Sequence, residues 1–295
     1  MSGGSINVTD HFVTINDLNI HYRDWGDREL SPLVILHGGG NSISRTWDHV
    51  AAALADHFRV IVPDQRGNGE SSWAPEYSWQ LLLDDVLKLM DALDLRQTVL
   101  CGHSMGGRIA YMLASQYPER VSRLVIIESN PLDPKVLTDD GPIELYATVE
   151  DAVAEAYRRQ PYADKDTLRH EVEHGLKQSD DGRWTWRMDP TLVRAIRRGQ
   201  LNPGTKLEWP ALAQIRCPTA LIYGTHSLGK MGATVTDMAQ AIPNCQLIEI
   251  PDASHDLPNE NPSGFISALR AYLTELPNVT DPSKEENVSG PDSNR

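Results

Sequence analysis

Positive charge, cysteine and long apolar runs are all scarce in this sequence. Of 295 residues, 27 are Lys or Arg against 41 Asp or Glu, a formal charge of -14. A surface this acidic repels the phosphates of nucleic acid and of anionic membranes, so neither is expected as a partner. The three cysteines, Cys101, Cys217 and Cys245, are odd in number and each lies in or beside an apolar run. They read as buried thiols of a reducing compartment rather than as a disulfide framework. No stretch approaches eighteen consecutive apolar residues, and Met1 to Asp10 carries neither a basic cluster nor an apolar run. The expectation from sequence is a cytoplasmic protein. With 40% apolar and 23% charged residues, the chain has the composition of a globular protein with one large core, or a core plus a small insertion. There is no internal repeat.

What the chain does contain is organised around Val99-Leu-Cys-Gly-His-Ser-Met-Gly-Gly-Arg-Ile-Ala110. A β-branched and apolar run meets Gly102-His103-Ser104-Met105-Gly106, and Ile109, Ala110, Leu113 and Ala114 follow at helical spacing. The pattern is strand, sharp turn, helix. Glycines on both sides of Ser104 suit a turn too tight for neighbouring Cβ atoms, which lifts the serine hydroxyl off the strand tip. The backbone N-H of Met105, at the positive end of the helix, is then a candidate donor to a developing oxyanion.

Around it the chain alternates strands and helices. Phe12 to Ile15 and Asn19 to Trp25 alternate apolar with polar residues across Asn16-Asp17, an edge hairpin. Leu33 to Leu36 and Arg59 to Pro63 are short apolar runs of the kind buried on both faces. The first ends in His37-Gly-Gly-Gly40, where the N-H of Gly39 is the candidate second oxyanion donor. The second leads into Asp64-Gln-Arg-Gly-Asn-Gly-Glu-Ser-Ser72, whose Arg66 either pairs with a carboxylate or faces a ligand. Helices are predicted from about 44 to 56 and from 78 to 95, the latter with a serine N-cap. Val121 to Ile127 repeats the buried-strand signature and finishes on Glu128. Pro218 to Gly224 and Cys245 to Ile250 supply the seventh and eighth strands, and a C-terminal helix is expected over 262–276. His255 sits on the loop just past the last strand.

Four motifs in this order, His37 to Gly40, Asp64 to Ser71, Gly102 to Gly107 and Ser254-His255, resemble those of the α/β-hydrolase superfamily over residues 10 to 276. The resemblance implies an α/β fold: an eight-stranded, mostly parallel sheet flanked by helices, with a Ser-His-acid triad. It also implies no cofactor and no metal. Core is expected over 1–130 and 210–277. Residues 131–209, with their prolines, polar helices and Trp184, Trp186 and Trp209, read as an inserted helical cap. Residues 278–295 read as a disordered tail.

One absence decides the acid. Most members of the superfamily carry an aspartate a few residues after the seventh strand, but here the chain reads Gly224-Thr-His-Ser-Leu228. An imidazole that must hold one tautomer needs a carboxylate on its far nitrogen. Some haloalkane dehalogenases and the zearalenone-type lactonases take it from the end of the sixth strand, and that position is Glu128.

The expected site is therefore Ser104, His255 and Glu128, with Gly39 and Met105 as the oxyanion hole and His103, Arg66, Trp184 and Trp186 as candidate substrate contacts. The expected partner is a small-molecule ester or lactone, and the expected assembly a monomer or homodimer. A carbon-carbon bond hydrolase would use the same residues. A non-catalytic ligand-binding protein on the same scaffold is the alternative of another class. His170-Glu-Val-Glu-His174 also satisfies the His-Glu-x-x-His zinc-peptidase pattern, but in a polar segment without an evident third ligand, and it reads as a solvated helix face.

Overall fold

The computed structural model describes residues 8–131, 144–201 and 209–275. The expected tail at 278–295, and the expected cap prolines Pro134 and Pro142, lie outside them. The strands are β1 (Val8–Ile15), β2 (Leu18–Trp25), β3 (Ser31–Leu36), β4 (Phe58–Pro63), β5 (Thr98–His103), β6 (Val121–Ile127), β7 (Leu176–Gln178), β8 (Trp184–Trp186), β9 (Thr219–Gly224) and β10 (Cys245–Ile250). The helices are α1 (Asp48–Leu54), α2 (Trp79–Ala92), α3 (Met105–Gln116), α4 (Val149–Arg159), α5 (Lys165–Gly175), α6 (Pro190–Arg197), α7 (Trp209–Leu212), α8 (Thr225–Ala241), α9 (Leu257–Glu260) and α10 (Pro262–Glu275).

Eight strands form one sheet in the order β1-β2-β4-β3-β5-β6-β9-β10. The β1–β2 hairpin is antiparallel, as is β2 to β4, and all pairings from β4 to β10 are parallel. Asn16 and Asp17 both take positive φ, 52° and 61°, the backbone of a two-residue hairpin turn. Strand β5, at the centre, is fully buried, and its side chains alternate between the two faces. Leu100 packs with Leu82, Val86 and Ile109 of α2 and α3, while Val99 and Cys101 pack with Val50, Phe265 and Leu269 of α1 and α10. Burial of each such side chain contributes about 1.5–3 kcal/mol, which fixes the register of the central strands. Helix α2 begins where the sequence predicts: Ser78 Oγ accepts from Leu81 N-H at 3.2 Å.

Parallel strands end on one side, so the loops after β3, β4, β5, β6, β9 and β10 gather there. Residues 144–201 stand against those loops as α4, α5, the β7–β8 hairpin and α6. Trp184 and Trp186 lie on this hairpin, a two-stranded sheet of its own that sequence periodicity does not announce. Backbone hydrogen bonds join the insert to the core on several sides, among them Trp79 N-H to Leu201 O at 2.9 Å. Gly69 N-H donates to Arg187 O at 2.7 Å and Asp189 N-H to Gly67 O at 2.7 Å. On the other side Asp164 N-H donates to Asn259 O at 2.6 Å and His170 Nε2 meets Asp48 Oδ2 at 3.0 Å. No helix of the described residues is long and apolar enough to cross a membrane.

Candidate active site

The turn between β5 and α3 has no room for a side chain on either flank of Ser104. A Cβ on Gly102 would lie 2.3 Å from Gly106 O, and one on Gly106 would lie 2.2 Å from Leu36 O. Ser104 itself is held at φ 50°, ψ -112°, a backbone conformation that non-glycine residues adopt only when their surroundings enforce it. Its N-H donates to Ile127 O at 2.9 Å, and its own C=O accepts from Arg108 N-H at 3.0 Å, starting α3. The hydroxyl is thereby fixed at the N-terminus of a helix, whose first N-H groups have no intrahelical acceptor.

His255 arrives from the loop after β10, and its Nε2 lies 3.1 Å from Ser104 Oγ. Its Nδ1 lies 3.6 Å from Glu128 Oε2, an ion-pair separation slightly too long for a hydrogen bond. Glu128 is fully buried at its side chain, sits at φ 47°, and its Oε1 accepts Gly224 N-H at 2.8 Å. Burial by itself lowers the His255 pKa, but the Glu128 carboxylate overcomes it and the imidazole titrates above the ordinary 6.5. With its proton on Nδ1, facing Glu128, the neutral ring leaves Nε2 free to accept from Ser104. Helix α8 starts at Thr225, immediately after β9, so the loop that carries an aspartate in most superfamily members does not exist here.

The expected oxyanion donors are neighbours: a Cβ on Gly39 would lie 3.5 Å from Met105 Sδ. The loop carrying Gly39 is pinned by His37. Its Nδ1 donates to Gly38 O at 2.7 Å, its Nε2 accepts from Gln65 N-H at 3.0 Å, and Gln65 Nε2 donates to His37 O at 2.7 Å. Burial depresses the His37 pKa, so the ring stays neutral and both contacts persist. Asp64 anchors the neighbouring loop, accepting from Ser44 N-H at 2.6 Å and Glu70 N-H at 3.0 Å and pairing with His21 at 2.8 Å. Sequence offers Asp64 as a carboxylate for Arg66 and no role for His37; the structure instead pairs Asp64 with His21, 43 residues away.

The candidate substrate contacts divide. Arg66 faces Asp85, with Nε to Oδ2 at 2.5 Å and NH2 to Oδ1 at 2.7 Å, and it is only 4% exposed. It is a structural cation, and as a substrate contact it is withdrawn. Trp184 packs into the insert's own apolar cluster beside Tyr146 and Val172, so it too is withdrawn. Trp186 lines a cavity of about 700 Å³ together with Trp73, Val193 and Ile196, and its Nε1 donates to Glu144 Oε2 at 2.9 Å. His103 lines the smaller cavity that holds Ser104 and His255, about 180 Å³. Its Nε2 donates to His255 O at 2.7 Å, and burial brings its pKa down to about 3. It fixes the backbone of the catalytic candidate as well as forming the wall. The two cavities share Asn41 as a lining residue.

In the His-Glu-x-x-His segment, the two rings lie side by side on α5, tilted by 39° with centroids 4.2 Å apart, but they are committed elsewhere. His170 meets Asp48, and His174 Nδ1 donates to His170 O at 2.8 Å. Among the described residues no three His, Cys, Asp or Glu side chains are grouped to hold a metal ion. The solvated-face reading is corrected for Glu171, which is buried and lines the Ser104 cavity. Leu168, Glu171, Val172 and Gly175 are the buried residues of α5, a spacing of i, i+3, i+4, i+7 that marks an inward face despite the polar composition.

Sheet order, strand-end loops and elbow define the class. The chain belongs to the alpha/beta hydrolase fold family, which matches residues 31–262. It is 27% identical over 264 residues to an sn-1-specific diacylglycerol lipase of Mus musculus, covering 84% of this chain and 82% of that protein. It is 27% identical over 261 residues to 3-oxoadipate enol-lactonase 1 of Acinetobacter baylyi, covering 84% and 91%. The enol-lactonase from Burkholderia xenovorans LB400 superposes with a TM-score of 0.70 at 26% identity, over 90% of this chain and 100% of that one. Relatives of this kind support hydrolase activity in general.

Proposed function

We propose that this protein is a serine hydrolase that cleaves carboxylic esters or lactones through an acyl-enzyme, with Ser104 as nucleophile, His255 as base and Glu128 as the acid. The observation that carries the reading is the 3.1 Å contact between Ser104 Oγ and His255 Nε2 at the foot of α3. His255 takes the hydroxyl proton as Ser104 Oγ bonds to the carbonyl carbon, and Glu128 stabilises the imidazolium. The N-H groups of Gly39 and Met105 receive the oxyanion. His255 then gives its proton to the leaving oxygen as the C-O bond breaks. A water, deprotonated by the same ring, attacks the acyl carbon and returns Ser104. Relatives that include a lipase and an enol-lactonase support the ester and lactone classes. A serine at the elbow, where an aspartate would form an ester with its substrate, argues against dehalogenase chemistry.

The test is stoichiometric labelling of the protein by a fluorophosphonate, together with turnover of an aryl ester. Labelling lost in Ser104→Ala, with turnover lost in step, is the expected result. A wild-type protein that takes up no label and cleaves no ester would overturn the reading in favour of a binding protein.

A further inference from the structure

The cavity that holds Ser104 and His255 has an unusual wall. Glu171, brought down by α5 of the insert, and Asp256, next to His255, both line it. A single nitrogen bridges them: Asn259 Nδ2 donates to Glu171 Oε2 at 2.6 Å and to Asp256 Oδ2 at 3.0 Å. No Lys or Arg is among the described residues of this lining. Two further side chains of the wall have buried polar atoms that meet no partner among the described residues, the donor Trp47 Nε1 and the acceptor Gln160 Oε1. The wall therefore offers two acidic groups, one free donor and one free acceptor, and the His255 imidazole is its nearest basic group.

Two carboxyl groups bridged by one amide nitrogen each raise the cost of the other's ionisation. Burial pushes both upward, and for Glu171 the neighbouring Asp256 adds to it. That cost favours one shared proton, with negative charge remaining on the wall. An uncharged ester or hydroxyl group can lie against the pair, whereas a carboxylate would meet its negative charge with no Lys or Arg in the described lining to offset it.

We propose that Glu171 and Asp256, bridged by Asn259, together determine specificity, making the cavity beside Ser104 accept uncharged substrate groups and reject carboxylates. This rests on the serine-hydrolase reading. It goes beyond that reading by assigning a substrate class and a selecting residue from the insert.

The experiment compares p-nitrophenyl butyrate with p-nitrophenyl hemisuccinate, matched in acyl length but differing by one terminal carboxylate. Wild-type kcat/KM is expected to favour the neutral ester by about a hundredfold, and the double substitution Glu171→Gln with Asp256→Asn, which removes both carboxyl groups, to cut that preference about tenfold, mainly through a lower KM for the hemisuccinate. Either substitution alone leaves the other carboxyl group ionised and is expected to keep most of the preference. A wild-type ratio near one, a measurement that needs no variant, or a ratio unmoved in the folded double variant that still takes up fluorophosphonate, overturns the proposal and leaves the hydrolase reading standing. Absence of labelling in the wild type overturns the hydrolase reading itself, and this proposal with it.

Discussion

Glu128 ties the end of β6 to Gly224 at the end of β9, accepting its N-H at 2.8 Å with one oxygen while the other faces His255 Nδ1 at 3.6 Å. The carboxylate thus reaches the imidazole from the strand next to the one that usually supplies it. Glu128→Gln keeps the size of the side chain and removes the charge. Turnover of an aryl ester is expected to fall about a hundredfold or more, with folding intact by circular dichroism.

The same substitution fixes the sign of a pH effect. His255 must be neutral to act as base, so the acid limb of kcat/KM reports its pKa. Glu128 raises that pKa above 6.5. The limb is therefore expected above 6.5 in the wild type and displaced to lower pH in Glu128→Gln, as followed with a substrate whose own protonation does not change. A limb that stays in place would show that another group titrates.

Arg66 and Asp85 form a buried two-pronged ion pair, and Asp85 Oδ1 also accepts from Asn16 Nδ2 at 2.8 Å. Arg66→Ala strands a buried carboxylate and is expected to cost about 3–5 kcal/mol in denaturant unfolding. KM for the aryl ester is expected to stay within about twofold, because the guanidinium does not face the cavity. A raised KM in a stable variant would return Arg66 to the substrate site.

Gly106→Ala brings a methyl group to 2.2 Å from Leu36 O, a backbone atom of the central sheet that has no rotamer to change. The variant is expected to lose its cooperative thermal transition or to fold without taking up fluorophosphonate. Normal labelling would mean that the elbow is looser than its geometry implies.

Glu171 supplies a stability test that does not depend on substrate. Its folded-state pKa is raised above 4.5, so the folded protein holds a proton that the unfolded chain releases, and stability falls as pH rises through the interval above 4.5. Glutamine has no such proton. The melting temperature of Glu171→Gln is expected to gain on the wild type between about pH 5 and about pH 8, measured by scanning calorimetry at fixed ionic strength. A constant difference across that range would mean that Glu171 is already ionised.

The local pieces of this molecule were legible in residue order: Asn16-Asp17 as the hairpin turn, Ser78 as a cap, Ser104 between glycines, His255 after the last strand, and Glu128 at the end of the sixth. Each rests on interactions within a few residues or on a motif whose spacing is set by backbone geometry. The β7–β8 hairpin was not legible, because three-residue strands are too short to show a period. The partner of Arg66 and the roles of Trp184 and Glu171 were not legible either. A buried cation, an apolar contact and an acid pair each depend on partners brought from elsewhere: Asp85 on α2, Tyr146 before α4, and Asn259 in α9. By itself the sequence determined the strand ends and the chemistry they carry. The tertiary structure alone decided which side chains face the cavity, because packing the insert against the loops settles which charges are paired in the interior and which stand open to a substrate.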